Sequence, residues 1–260
     1  MPDRPRRVEI RSIPASRRWV TQALQAGRRM NPTHALLQCD VTETRTYLKR
    51  FDPPLSFTAY LVTAVAQAAA LHPEVHAYRN WRGRLVIHHH VDVATLIEVR
   101  DPAGSFPLAH LVRDADKRSA IEISNEIRGV KADPTAGAWG RAFRQAGPTV
   151  GRIPGVVPLF YLLAARSTRM RRMTGTVSVT AVGMFGAGGG FGIGHPTIQT
   201  LTVLIGGISQ RPWTVDGQIV PREILDLTIT VDHNVVDGAP AARFVADLRR
   251  LIEDPEGFGA

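Results

Sequence analysis

The sequence predicts one α/β domain in which a mixed β-sheet is covered by packed helices, and three observations point there. The carboxyl-terminal third is strand-rich, with TVSVTAVG at 176–183, TLTVLIGGI at 200–208 and LDLTITV at 225–231. An Ala-rich apolar run between Ser56 and Pro73 has the composition of a buried helix. The chain closes with a helix from Pro240 to Glu253 whose apolar positions repeat at three and four. With 260 residues and 44% apolar composition there is enough chain for a full hydrophobic core, and no Pro-, Ser- or Ala-rich linker divides it. Residues 1–260 therefore read as a single domain.

Taken in order, residues 17–30, RRWVTQALQAGRRM, have helical spacing, and Ala35 to Val41 form a short strand. Ser56 caps the Ala-rich helix and Pro73 stops it. RLVIHHHVDVATLIEV, from Arg84 to Val99, is β-rich and ends at a loop, DPAGS. Ser119 to Val130, SAIEISNEIRGV, is an amphipathic helix. Residues 139–174 read as a helical insertion with seven arginines (Arg141, Arg144, Arg152, Arg166, Arg169, Arg171, Arg172) and no carboxylate.

That insertion explains the charge. Lys plus Arg number 32 and Asp plus Glu 23, a surplus of +9, of which the insertion supplies seven. A surplus of this size raises nucleic acid, an anionic membrane or an anionic cofactor as a partner. The arginines are not interleaved with aromatics on a nucleic-acid module, so no nucleic-acid partner is expected. The single cysteine, Cys39, excludes a disulfide framework or a paired-thiolate zinc site and suits a reducing cytoplasm. No apolar h-region follows the basic amino terminus, and the most apolar stretch, Val156 to Ala165, is about half a bilayer span. A cytoplasmic protein without a transmembrane helix is expected.

The sharpest local string is VDHNVVDGAPAARF. It puts His233 between a strand and a helix, where a side chain is presented to a cleft. Asp237 is placed to lock the turn by an ion pair, and Gly238 to permit its backbone geometry. A general base is one reading of His233; a satisfied structural histidine between two capping aspartates is the other. The triplet His88, His89, His90 and the nearby Asp92 offer a weaker candidate. In a strand, His88, His90 and Asp92 share a face at metal-compatible reach, but a solvent-facing edge accommodates histidines without a ligand, and no metal is expected. GAGGGFGIG at 186–194 opens no helix and reads as a flexible loop. No G-x-S-x-G elbow occurs and Cys39 stands beside Asp40, so no covalent nucleophile is supported. What remains is a histidine base acting on an activated acceptor without a covalent enzyme intermediate.

These strings resemble the catalytic domain of the dihydrolipoamide acyltransferases of 2-oxoacid dehydrogenase complexes, whose fold is shared with chloramphenicol acetyltransferase. The family pattern D-H-x-x-x-D-G-A-x-x-A-x-F is met by Asp232, His233, Asp237, Gly238, Ala239, Ala242 and Phe244. GTVSVTAVGMFG at 175–186 is similar to the family's G-T-F-T-I-S-N-L-G-M-F-G, and HLVRDADKRSAIEISNEI at 110–127 to its V-I-R-D-A-D segment and helix. The resemblance implies a two-layer, chloramphenicol acetyltransferase-like fold. It implies acyl transfer between coenzyme A, as cosubstrate, and a thiol of the dihydrolipoyl kind, a hydroxyl or an amine. His233 is then the general base, and Thr180, where the family has serine, an oxyanion donor. Asp237 is then structural, paired with an amino-terminal arginine, Arg17 or Arg18. A homotrimer with sites between subunits is implied as well.

Three features depart from the family pattern. No lipoyl domain or Ala/Pro-rich linker precedes the domain, so any lipoyl or acyl-carrier group is expected in trans. Asn234 stands where the family has arginine, and DPEGFGA lacks the apolar tail that docks trimers into larger cores. The alternative reading is a non-catalytic trimeric scaffold that uses residues 139–174 to dock on a partner or a membrane surface. Against a membrane contact stands a helical hairpin packed on its own trimer with a solvated basic face, which is the preferred expectation.

Overall fold

A computed structural model describes residues 8–10, 12, 15–101, 104–133, 149–150, 153–181 and 188–257. Helix α1 (Ala15–Gly27) leads into strand β1 (Pro32–Asp40) and helices α2 (Thr42–Leu48) and α3 (Phe57–Leu71). Strands β2 (Tyr78–Arg79) and β3 (Leu85–Val86) form a separate ribbon, followed by β4 (Val93–Asp101), β5 (Gly104–Val112) and helix α4 (Ala120–Ala132). Helix α5 (Val156–Arg166) and a single helical turn, Thr168–Arg171, precede β6 (Val177–Ala181), β7 (Leu201–Val215), β8 (Gln218–Asp232) and the closing helix α6 (Gly238–Glu253). The main sheet runs β1-β8-β7-β6-β4-β5, with β6 parallel to both neighbours and the other pairs antiparallel.

Helices α3, α4 and α6 cover one face of this sheet. The side chain of Ser56 caps α3 by accepting from the Ala59 amide. Ten of its fifteen residues are buried, which is why its apolar residues run round the helix rather than along one stripe. A capping box between Ser119 and Glu122 starts α4. Helix α6 buries Phe244, Leu248, Leu251 and Ile252, each worth about 2 kcal/mol of apolar transfer, and the Tyr60 hydroxyl ties α3 to it by donating to the Leu251 carbonyl at 2.7 Å.

The structure departs from the expected elements in four places. Strands β7 and β8 are each fifteen residues long, because beyond the core they continue as an exposed hairpin closed at Asp216 and Gly217, both with positive φ (50° and 78°). The Asp-Gly pair between apolar runs is the hairpin signal. Residues 84–99 are not one strand: 87–92 are irregular, so the alternation invoked for His88, His90 and Asp92 is absent. Residues 104–112 are a strand, at the sheet edge where Pro107 is tolerated. The glycine-rich stretch expected as a flexible loop is packed where it is described, at 188–194. A Cβ on Gly206 would stand 2.4 Å from the Gly190 carbonyl, and one on Gly207 2.3 Å from that of Gly188, so this loop closes against a bulge in β7 that only glycine allows. Residues 139–148 and 151–152 of the arginine-rich segment lie outside the described residues.

Candidate active site

Strand β8 ends at Asp232, α6 begins at Gly238, and His233 opens the turn between them. The turn is held by Asp232 rather than by Asp237. Asp232 Oδ1 accepts from the Asn31 amide (3.1 Å), the Asn234 amide (3.1 Å) and Asn234 Nδ2 (2.8 Å). Asn31 Nδ2 donates to Asn234 Oδ1 at 2.8 Å, and the His233 amide donates to the Asn31 carbonyl at 2.9 Å. The backbone of His233 is therefore pinned between the end of β8 and the link from α1 to β1, while its ring remains half exposed. Asn31 was not singled out from sequence, since only the pairing of β1 with β8 brings it there.

Asp237 meets His233 at 3.9 Å, Oδ1 to Nδ1, with 89% of its side chain exposed. It makes no capping bond to α6. Among the described residues Asp237 has no arginine partner. Arg17 and Arg18 stand near the opposite end of α1 from the Asn31 contact, about ten residues or roughly 15 Å up the helix. The expected pairing with either is not made within one chain. Gly238 likewise does not need to be glycine for its backbone: as the first helical residue it has no positive φ, and a Cβ would meet nothing within 4 Å.

Thr180 is on β6, opposite Leu204 of β7, which is opposite Thr228 and then Leu36 of β1. Continuing the register across β4 puts Leu96 at the other end of this row, on the face away from α3, α4 and α6. His233 is five residues beyond Thr228 and two strands away from Thr180. At ~3.3 Å per residue and ~4.8 Å per strand, the two are roughly 19 Å apart in one chain.

Among the described residues, no group of three or more His, Cys, Asp or Glu side chains is arranged to hold a metal. Asp92 is paired with Arg113 (2.6 Å), and His88 stacks on Tyr78 with ring centroids 5.6 Å apart. Burial, reinforced by His90 and Arg171, pushes the His88 pKa down to about 4. Cys39 is fully buried, and desolvation raises its thiol far above neutrality, so it offers no thiolate.

Beside the His233 turn opens a cleft of about 550 Å³ between α1, α5 and the β2–β3 ribbon. Asp232, Asn234 and Val235 form one end of it. Tyr161 and Leu162 of α5, and Trp81 of the ribbon, supply apolar wall. Of the described arginines of the basic segment, Arg169 and Arg172 are exposed, in line with the expected solvated basic face, while Arg166 and Arg171 turn inward. Arg166 lines the cleft with its guanidinium 5.4 Å from the Trp81 ring, and Arg171 is 1% exposed, with its guanidinium 4.9 Å from the Tyr78 ring.

A mixed sheet covered on one face by helices, with a histidine presented at a strand-to-helix turn, defines a chloramphenicol acetyltransferase-like fold. Chloramphenicol acetyltransferase itself superposes with a TM-score of 0.51, at 14% identity over 94% of this chain and 98% of that one. The chain belongs to the family described as 2-oxoacid dehydrogenases acyltransferase (catalytic domain), whose sequence model matches residues 5–140 and 163–260. It is 26% identical over 256 residues to the dihydrolipoyllysine-residue acetyltransferase component of the pyruvate dehydrogenase complex of Staphylococcus epidermidis, covering 94% of this chain and 51% of that protein. The chain thus spans about half the length of such relatives. The dihydrolipoamide acetyltransferase of Azotobacter vinelandii, in whose catalytic mechanism a serine, a histidine and an asparagine have been investigated, superposes with a TM-score of 0.70 at 19% identity over 99% of each chain. No helix among the described residues is long and apolar enough to cross a membrane.

Proposed function

We infer that this chain is an acyltransferase that moves an acyl group between coenzyme A and a thiol acceptor of the dihydrolipoyl kind, or a hydroxyl or amine. The observation that carries the reading is the presentation of His233: its backbone is pinned by Asp232 and Asn31 while its ring faces outward at the family's active-site string. A neutral imidazole nitrogen takes the proton from the acceptor S–H or O–H. The acceptor then attacks the thioester carbonyl, the carbon–sulfur bond to coenzyme A breaks, and the protonated imidazole returns its proton to the leaving thiolate. No bond to the protein forms. Asp237, 3.9 Å from Nδ1, is placed to orient the ring as the proton is taken and returned.

Thr180 is the oxyanion donor in this reading. Its hydroxyl is about as far upstream of the histidine, 233 − 180 = 53 residues, as the serine investigated in the Azotobacter protein, at 52. One such donor is worth roughly 3 kcal/mol of barrier. Because roughly 19 Å separates Thr180 from His233 in one chain, the site is composed of His233 from one subunit and Thr180 from the next. A homotrimer built on the outer sheet face meets this requirement. That face carries apolar Leu36 and Leu96, 55% and 47% exposed, in the same row as Thr180. Residues 139–174 are an insertion into the single domain, in keeping with the family model passing over 141–162. Consumption of acyl-coenzyme A with candidate acceptors, compared between wild type and His233→Ala, tests the proposal; equal rates would refute it.

A further inference from the structure

We propose that the cleft beside the His233 turn is a binding site for a small organic anion, a molecule with an aromatic or branched apolar body and one carboxylate or phosphate group. Its walls combine Trp81, Tyr161 and Leu162 with three arginines, Arg29, Arg79 and Arg166. None of the three has a carboxylate partner among the described residues. Arg166 is already positioned over Trp81, so its guanidinium stands beside an aromatic surface able to take a flat ligand. Among the described lining residues the one carboxylate is Asp232, whose Oδ1 is shared among three donors of the His233 turn.

A second observation points to the same charge. Arg171 is buried beneath this cleft, donating from Nη1 to the Ile198 carbonyl at 2.7 Å and stacked on Tyr78, and both of these partners line the cleft. Among the described residues its Nε and Nη2 have no hydrogen-bond partner, nor has the buried Tyr78 hydroxyl. A guanidinium out of water without a neutralising carboxylate is costly to the folded chain. An anion in the cleft above Tyr78 offsets part of that cost, and His76 and His88, close by and held neutral, do not compete for it. Tyr161 and Leu162 lie in the stretch the family model passes over, so this wall is a property of this chain rather than of the family.

Identifying the anion as the acyl acceptor rests on the acyl-transfer reading, because residues on either side of His233 line the cleft; the binding itself does not. Isothermal titration calorimetry with 3-phenylpropionate, phenyl phosphate and 3-phenylpropionamide tests it on the full chain. The better of the two anions is expected to bind roughly tenfold or more tighter than the amide. That difference should shrink at high salt and vanish in Arg166→Gln, with Arg79→Gln as a second variant should the first not fold. It should persist in His233→Ala and with saturating coenzyme A. Equal binding of anion and amide, no binding of any probe, or displacement by coenzyme A overturns the proposal. A wild-type protein that binds the anion but consumes no acyl-coenzyme A keeps this site and refutes the acyl-transfer reading. The converse result refutes this site alone.

Discussion

Two inactive chains mixed together should regain activity. Within one chain His233 follows β8 and Thr180 sits on β6, five residues along and two strands across, roughly 19 Å apart. A base and an oxyanion donor acting on one carbonyl must both lie within hydrogen-bonding reach of it, so a single chain cannot supply both. His233→Ala removes the base, and Thr180→Val removes the hydroxyl at nearly constant volume, costing roughly 3 kcal/mol of barrier or about a hundredfold in rate. In a trimer assembled at random from equal amounts of the two variants, a site needs an intact His233 from one subunit and an intact Thr180 from its neighbour. Each is present with probability one half, so about a quarter of the sites are intact. Co-expressed and purified together, the mixture should therefore turn over acyl-coenzyme A at about a quarter of the wild-type rate, with mixed trimers verified by native mass spectrometry. A mixture no faster than its parents, despite mixed trimers, would show that the two residues do not share a site.

Asp232→Ala leaves the three donors around Oδ1 unpaired and should destabilise the protein by about 1–3 kcal/mol in urea denaturation, with a fall in kcat as the His233 turn loosens. Leu36→Asp combined with Leu96→Asp charges the outer sheet face and should convert trimer to monomer in sedimentation velocity, with activity lost alongside; unchanged assembly would place the interface elsewhere. Phe244→Ala, at a fully buried site of α6, should cost about 3–5 kcal/mol, read as a lowered unfolding midpoint in denaturant. His76 is fully buried, and desolvation pushes its pKa down to about 3 from 6.5. The unfolded chain therefore binds the extra proton below about pH 6.5, and folded stability falls as pH drops from there towards 3. At about pH 4.5 this one group removes about 3 kcal/mol; His76→Met should lose that much less stability than wild type between pH 7 and 4.5, and parallel losses would contradict a buried neutral His76.

Much of the architecture was legible because its signals are local. The Ser56 cap, the Ser119–Glu122 capping box and the three-and-four spacing of Phe244, Leu248, Leu251 and Ile252 all act within one or two turns of chain. Helix boundaries read from them fall within two residues of those observed. The Asp216–Gly217 turn is an equally local signal, and it marks β7 and β8 as longer than their apolar cores alone indicate. The histidine triplet failed for the opposite reason: strand alternation was assumed across residues 87–92, where the backbone is irregular and Asp92 turns to Arg113.

The string around His233 was likewise readable as a site, but not its internal wiring. Sequence proximity favoured Asp237 as the lock of the turn, whereas Asp232 holds it with Asn31, a residue 201 positions away. The charge surplus lies in one segment, of whose described arginines Arg169 and Arg172 are exposed as expected while Arg166 and Arg171 are not. Arg171 is buried against Tyr78 and Arg166 faces Trp81, contacts made only once α5 packs beside α1 and the β2–β3 ribbon. By itself the sequence determined the family, the capped helices and the position of His233 between a strand and a helix, since capping, periodicity and motif spacing are properties of neighbouring residues. Tertiary structure decided which side chains pin that histidine, how far Thr180 stands from it and which arginines enter the cleft, because those depend on strand register and helix packing between residues remote in the chain.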